Sequence, residues 1–84
     1  METLAPIKPA VRAFLIETFL HGADADDLDD DLHLVEHGII DSIRVLALVE
    51  FMEETYDILI EPEDLFRLVS VAAISEVIRE KQAG

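Results

Sequence analysis

The feature that most constrains the fold of this chain is an amphipathic run over residues 43–56. At about 100° per residue, one arc of a helix over this run would carry apolar residues suited to a core. These residues are Val45, Leu48, Val49, Met52 and Tyr56. The opposite arc carries Ile43, Leu46, Ala47 and Glu50. The run therefore predicts a helix with one buried face, and its two outward aliphatic residues predict a small apolar patch on the surface.

Composition extends this helical prediction to the rest of the chain. The 84 residues include three glycines, three prolines and no cysteine, and 51% of them are hydrophobic. Few points can interrupt regular elements, and apolar packing must stabilise the fold because no disulfide can form. We therefore predict one all-α domain over residues 1–84.

Local signals predict three further helices. The first covers residues 9–20 or 9–21 and stops at Gly22, with proline in its first turn. Its buried stripe comprises Val11, Phe14, Leu15 and Phe19. Pro62 opens a short third helix that Leu65, Phe66 and Leu68 complete, and Ser70 caps the last one.

Two apolar groups near the C-terminal end complete the predicted core. Val71, Ile74 and Ile78 share one face of the last helix. Residues 58–60 are a short aliphatic segment with the composition of a strand, but the chain offers no second strand to pair with it. A buried loop is predicted there.

Residues 23–40 lose helical periodicity and become acidic, without any Lys or Arg among them. Several aliphatic residues are spread through the segment: Leu28, Leu32, Leu34, Val35, Ile39 and Ile40. A disordered acidic tract would not carry so many, so we predict a long solvated loop held to the core by these side chains.

The acidic loop does not have the ligand spacing of a calcium site. An EF-hand register starting at Asp24 puts Asp29 at the position that requires glycine, and one starting at Asp27 puts Leu32 there. His33 and His37 are one helical turn apart, but in a predicted loop and without a metalloprotease pattern. No metal site is predicted.

The net charge of −13 narrows the classes of partner. So much negative charge repels nucleic-acid backbones and anionic membrane surfaces, so neither partner is expected, whereas basic protein surfaces are favoured. No apolar run is long enough to span a bilayer, and the N-terminal residues lack the pattern of a signal peptide. A cytoplasmic monomer is expected.

The residues before the amphipathic run suggest where the chemistry lies. Gly38 and two isoleucines lead to Asp41 and Ser42, two residue types favoured at a helix N-terminus. A helix cap is one interpretation of this pair. A serine hydrolase would need glycines where Ile40 and Arg44 stand, so no enzyme activity is predicted. The Ser42 hydroxyl is expected to point outward at the helix start.

The order Gly-Ile-Ile-Asp-Ser-Ile over residues 38–43 resembles the modification motif of the acyl carrier protein family. The resemblance also covers the long acidic loop, the end of the second helix at residues 53–57 and the segment at residues 71–74. It implies a four-helix bundle with a long first loop. It further implies that Ser42 carries a covalent 4′-phosphopantetheine from coenzyme A, and that Asp41 assists this modification.

The same resemblance implies a function as a carrier. An acyl or aminoacyl group would be held as a thioester on the phosphopantetheine arm, as in fatty-acid, polyketide or nonribosomal-peptide synthesis. The implied partners are a phosphopantetheinyl transferase, an adenylating ligase or acyltransferase that loads the arm, and a downstream synthase or transferase. The alternative is an acidic helical interaction module in which Ser42 is only a helix cap.

Some residues depart from the fatty-acid members that the motif resembles. Ile43 stands where Leu is usual, and Arg44 and Ala47 stand where acids are common. The motif is closer to that of D-alanyl and free-standing aminoacyl or peptidyl carriers, which implies a specialised pathway. The expected partner-binding residues are Ile43, Arg44, Leu46, Ala47 and Glu50.

Overall fold

The computed structural model describes residues 7–20 and 28–83. It contains three α-helices, α1 (Ile7–Phe19), α2 (Arg44–Tyr56) and α3 (Val71–Ala83), and a 3₁₀ helix at Pro62–Arg67 between α2 and α3. None of the described residues forms a strand. The all-α prediction with four helices, the third of them short, is confirmed.

Helix α1 begins at Ile7, two residues before the predicted start at Pro9. Proline in the first turn is tolerated there because its missing N–H would have no partner within the helix. Val11 and Leu15 are fully buried, and Phe14 and Phe19 are half-buried, as the predicted stripe requires. The predicted end at His21 and stop at Gly22 lie outside the described residues.

Helix α2 has the two predicted faces. Leu48 and Met52 are fully buried, while Val45, Val49 and Tyr56 are half-buried at the edges of the core face. An aromatic stack joins α2 to α1, because the Phe14 and Phe51 rings lie parallel with centroids 4.2 Å apart. The helix ends at Tyr56, and the next residue, Asp57, has a left-handed φ of 55° that turns the chain out of the helix.

The segment after α2 departs from the prediction of a buried loop. Ile60 is buried and its N–H donates to Glu53 Oε2 at 2.9 Å, which holds the segment against the end of α2. Leu59, however, is 67% exposed, so the prediction is wrong for this residue. In an extended segment neighbouring side chains point in opposite directions, and only one side of it meets the core.

The 3₁₀ helix is fixed at both ends by side chains. Pro62 is its first residue, and Glu61 and Asp64 form a reciprocal capping box. Asp64 Oδ2 also lies 2.7 Å from Lys81 Nζ on α3. The predicted cap of α3 is confirmed, because the Ala73 N–H donates to Ser70 Oγ at 3.1 Å.

Residues 28–40 form an ordered loop that packs on the helices. Four of the predicted aliphatic contacts are buried, namely Leu28, Leu34, Ile39 and Ile40, and Leu32 is half-buried. Backbone hydrogen bonds attach the loop to the start of α3, from Ala72 to the Asp30 carbonyl (3.0 Å) and from Leu34 to the Val69 carbonyl (2.7 Å). Val35 is a correction to the predicted core, since its side chain is 49% exposed.

The acidic loop is less solvated than predicted at one position. Asp30 pairs with Arg12 and, at 3.3 Å, with Lys8, both from α1. Arg12 Nε also donates to the Leu28 carbonyl at 3.0 Å. The loop is therefore held to α1 by charge as well as by apolar contacts.

Candidate functional site

The site is built on the turn that leads into α2. Gly38 has a φ of 74°, in the left-handed region where a side chain is disfavoured. The Ile39 and Ile40 N–H groups then both donate to the Leu34 carbonyl, at 2.9 and 3.2 Å, and both side chains are buried. This anchorage brings the next two residues, Asp41 and Ser42, to the surface.

Asp41 caps α2. Its carbonyl accepts the first helical hydrogen bond, from Val45 at 2.9 Å, and its Oδ1 accepts the N–H groups of Ile43 (3.0 Å) and Arg44 (2.7 Å). The bond from Arg44 is the largest cause of an Asp41 pKa below the ordinary value of 3.8; the bond from Ile43 acts the same way, and desolvation opposes both. The carboxylate is therefore kept ionised beside Ser42.

Ser42 is exposed, and its hydroxyl forms no hydrogen bond with any described residue. Either Asp41 or Ser42 could have been the cap from sequence, and the structure gives this task to Asp41. His37, the nearest histidine in sequence, hydrogen-bonds through Nδ1 to the His33 carbonyl at 3.0 Å. The hydroxyl is thus presented to the outside on the rigid start of a helix, without a histidine partner.

An apolar groove of about 380 Å³ opens beside this hydroxyl. Its lining residues come from the loop, α2 and the 3₁₀ helix: Val35, Ile40, Asp41, Ser42, Val45, Leu46, Leu65, Phe66 and Leu68. Sequence reasoning missed Val35 and Phe66, which are 49% and 85% exposed at the groove. An apolar spacing pattern alone does not separate a groove lining from a core, and neither residue carries a further signal in the sequence.

The predicted partner-binding residues lie on or near the surface of α2. Ile43 is 73% exposed and Leu46 is 59% exposed, and Arg44 and Glu50 are also exposed. Ala47 is half-buried. Leu46 is one of the residues that line the groove, and Ile43 adds exposed apolar surface directly after Ser42 in the chain.

No metal centre accompanies the serine in the part of the chain that the structure describes. No group of three or more His, Asp or Glu side chains lies close enough to hold an ion among residues 7–20 and 28–83. On the side of the acceptor, attachment of a covalent group needs an exposed nucleophilic oxygen with space beside it. Ser42 and the groove meet both needs.

Comparison with known proteins identifies this arrangement. Residues 15–78, which include Ser42 and the groove, match the model of a family described as the phosphopantetheine attachment site. An acyl carrier protein from Desulforapulum autotrophicum is 33% identical over 75 residues, which cover 89% of this chain and 96% of that protein. The chain belongs to the acyl carrier protein family.

Acyl carrier proteins are carriers rather than enzymes, and their attached group is phosphopantetheine. As a member, this protein is a substrate of a phosphopantetheinyl transferase and a partner of the enzymes that use the attached arm. No helix within the described ranges is long and apolar enough to cross a membrane. The resemblance found in the motif at residues 38–43 is confirmed at the level of the family.

Proposed function

We propose that this acyl carrier protein accepts phosphopantetheine on Ser42 and presents an acyl cargo to partner enzymes. The observation that carries the proposal is the Ser42 hydroxyl itself. It is exposed at the start of α2 and forms no hydrogen bond with the described residues, because Asp41 does the capping. A hydroxyl that capped the helix would be engaged in a hydrogen bond with a backbone N–H group. The absence of such a bond among the described residues therefore disfavours the alternative in which Ser42 is only a helix cap.

In the modification step, coenzyme A donates the phosphopantetheine group to Ser42. Ser42 Oγ attacks the phosphorus that bears the pantetheine half, an Oγ–P bond forms, and the bridging P–O bond to the nucleotide half breaks. The nucleotide half leaves with the electron pair, and the hydroxyl proton passes to a base of the transferase. The chain contributes a fixed oxygen and, in Asp41, an adjacent carboxylate that would orient the hydroxyl or hold a metal ion of the transferase.

The apolar groove supports an acyl cargo, in contrast to the aminoacyl or peptidyl cargo that the motif at residues 38–43 suggests. When bound, phosphopantetheine supplies a thiol that holds the cargo as a thioester. The residues that line the groove beside Ser42 are apolar except for Asp41 and Ser42 at its end. Transfer of aliphatic surface from water into such a groove is favourable by about 25 cal/mol per Å², whereas an aminoacyl ammonium group would lose hydration there.

Partner enzymes that reach Ser42 would contact the surface around it. Ile43 and Leu46 supply exposed apolar area, and Glu50 supplies a negative charge on the same face of α2. Arg44 and Ala47 border this surface. Because the protein has a net charge of −13, it favours partners whose docking surface has an apolar centre surrounded by basic residues. We further propose that the protein acts in a specialised pathway, that it is located in the cytoplasm and that it is a monomer.

The intact mass of the protein tests the attachment site. We expect incubation with coenzyme A and a broad-specificity phosphopantetheinyl transferase to add the mass of one phosphopantetheine. Ser42→Ala should gain nothing, while Thr55→Ala, which removes another exposed hydroxyl on α2, should be modified like the wild type. Modification of Ser42→Ala, or none of the folded wild type with several transferases, would refute the assignment.

The cargo is tested by loading the arm chemically. We expect a saturated acyl group on the arm to shift the NMR signals of Val35, Leu46 and Phe66, which line the groove. The acyl thioester should also be hydrolysed more slowly than an alanyl thioester. Equal shifts and equal hydrolysis for the two cargoes would contradict the preference for an acyl chain.

A further inference from the structure

Arg44 contacts the segment before the serine through both its backbone and its side chain. Its N–H donates to Asp41 Oδ1 at 2.7 Å. Its Nη1 donates to the Ile39 carbonyl at 3.2 Å and lies 3.4 Å from the Gly38 carbonyl. The guanidinium carbon also lies 5.6 Å from the centroid of the Phe19 ring at the end of α1. One side chain therefore joins α1, the turn at residues 38–41 and α2.

The two contacted carbonyls belong to the turn that leads to Asp41 and Ser42. The N–H groups of Ile39 and Ile40 are held by Leu34, but among the described residues only Arg44 donates to the Gly38 and Ile39 carbonyls. The planar guanidinium can bridge neighbouring carbonyls and stack on an aromatic face at the same time, which a lysine ammonium does less well. The Arg44 side chain thus contacts both the turn before Ser42 and the end of α1.

We propose that Arg44 is a positioning residue for the reactions at Ser42. It fixes the path of residues 38–41, and through Asp41 the location of the Ser42 hydroxyl, when a transferase or another partner approaches. This inference rests on the proposed attachment at Ser42. The expectation that Arg44 contacts partners stays a separate prediction, because the residue is exposed while its guanidinium is directed to the turn. Small displacements of a reacting oxygen lower the rate of transfer more than they lower binding.

The turn can be observed without any reaction, by amide hydrogen exchange of the apo protein. We expect Arg44→Met to reduce protection of the Ile39 and Ile40 amides about fivefold, the effect of one lost hydrogen bond. Arg44→Lys, which keeps the charge and N–H donors but loses the planar guanidinium, should restore part of that protection. Arg79→Met removes an equal charge from the exposed surface of α3 and should leave the turn unchanged.

Kinetics of modification by the transferase then separate positioning from docking. For Arg44→Met we expect kcat to fall about fivefold or more with KM nearly constant, and Arg44→Lys to recover part of the loss. Thermal melts show whether each variant is folded. If Arg44→Met does not fold, Arg44→Lys is used instead for both hydrogen exchange and modification kinetics.

Three results would overturn the inference. They are unchanged protection of the turn in Arg44→Met, a raised KM with unchanged kcat, and a kcat that falls equally in Arg79→Met. Failure of the wild type to be modified would instead refute the proposed function. The two proposals therefore fail in different experiments.

Discussion

Asp41 and Ser42 have different roles at the start of α2. Asp41 accepts the N–H groups that a helix start leaves without partners, and Ser42 keeps its hydroxyl outside this hydrogen bonding. A serine in the capping position would have made the same helix but a poorer nucleophile. The order of the two residues therefore matters as much as their identity.

Substitutions of Asp41 should separate its capping role from its charge. Asp41→Ala loses the cap, and we expect its Tm to fall by about 5 °C. Asp41→Asn retains an oxygen that can cap, so its Tm should fall less, while the rate of Ser42 modification should drop in both variants. Thermal melts and modification kinetics measure the two effects. An unchanged rate in Asp41→Asn would exclude any role of the negative charge.

Gly38 shows how one backbone conformation supports the site. A Cβ added there would meet nothing within 4 Å, so the cost of a side chain comes from the left-handed φ of 74° alone. We expect Gly38→Ala to lower the free energy of unfolding by about 1 kcal/mol, and Gly38→Asn by less. Chemical denaturation measures both. Equal losses for alanine and asparagine would show that backbone conformation is not the cause.

At the scale of elements, helical periodicity made α2 predictable and left the groove hidden. The two faces of α2 follow from sequence because its apolar residues repeat over several turns. The 3₁₀ helix has three residues per turn, so Leu65 lies on the same side as Leu68, the residue that follows the helix, and Phe66 is exposed. Six residues are too few to reveal that period. Val35 lies in a turn without any period, so its exposure could not be predicted.

Substitutions on the two faces of α2 should affect different properties, stability on the buried face and loading by partner enzymes on the exposed face. Leu48 is fully buried, so Leu48→Ala should lower the free energy of unfolding by about 2–5 kcal/mol, and the half-buried Val49 should tolerate Val49→Ala better. Leu46 is 59% exposed, so Leu46→Glu should leave stability nearly unchanged but weaken loading by partner enzymes. Denaturation curves and loading assays measure the two effects. A Leu46→Glu variant that unfolds would contradict the assignment of faces.

At the scale of the molecule, most of the few basic residues are used internally. Of the six Lys and Arg residues, Lys8 and Arg12 pair with Asp30, Lys81 pairs with Asp64, and Arg67 pairs with Glu80. Arg44 is directed to backbone carbonyls. Little positive charge remains to offset a net charge of −13, so the surface offered to partners is strongly negative.

This use of charge predicts how stability depends on pH. The pKa of Asp64 is lowered first by its hydrogen bond with Lys81, and that of Glu80 first by its hydrogen bond with Arg67. Because both folded-state pKa values lie below the ordinary 3.8 and 4.5, the unfolded chain binds more protons in acid. The stabilisation is complete above these ordinary values and is lost as the pH falls through the lower pKa values of the folded protein.

We therefore expect Tm to hold or rise from pH 7 to about 5, as repulsion among the carboxylates weakens, and then to fall in stronger acid. Asp64→Asn should have a lower Tm at pH 7, because it removes the charge that pairs with Lys81, and a shallower decline in acid, because one titrating group is gone. Asp29→Asn, which removes an exposed loop carboxylate, should keep the wild-type decline. Thermal melts across this pH range measure all three proteins. If Asp64→Asn declines as steeply as the wild type, the Asp64–Lys81 pair does not govern the acid limb, and the attachment of the 3₁₀ helix to α3 depends on apolar packing instead.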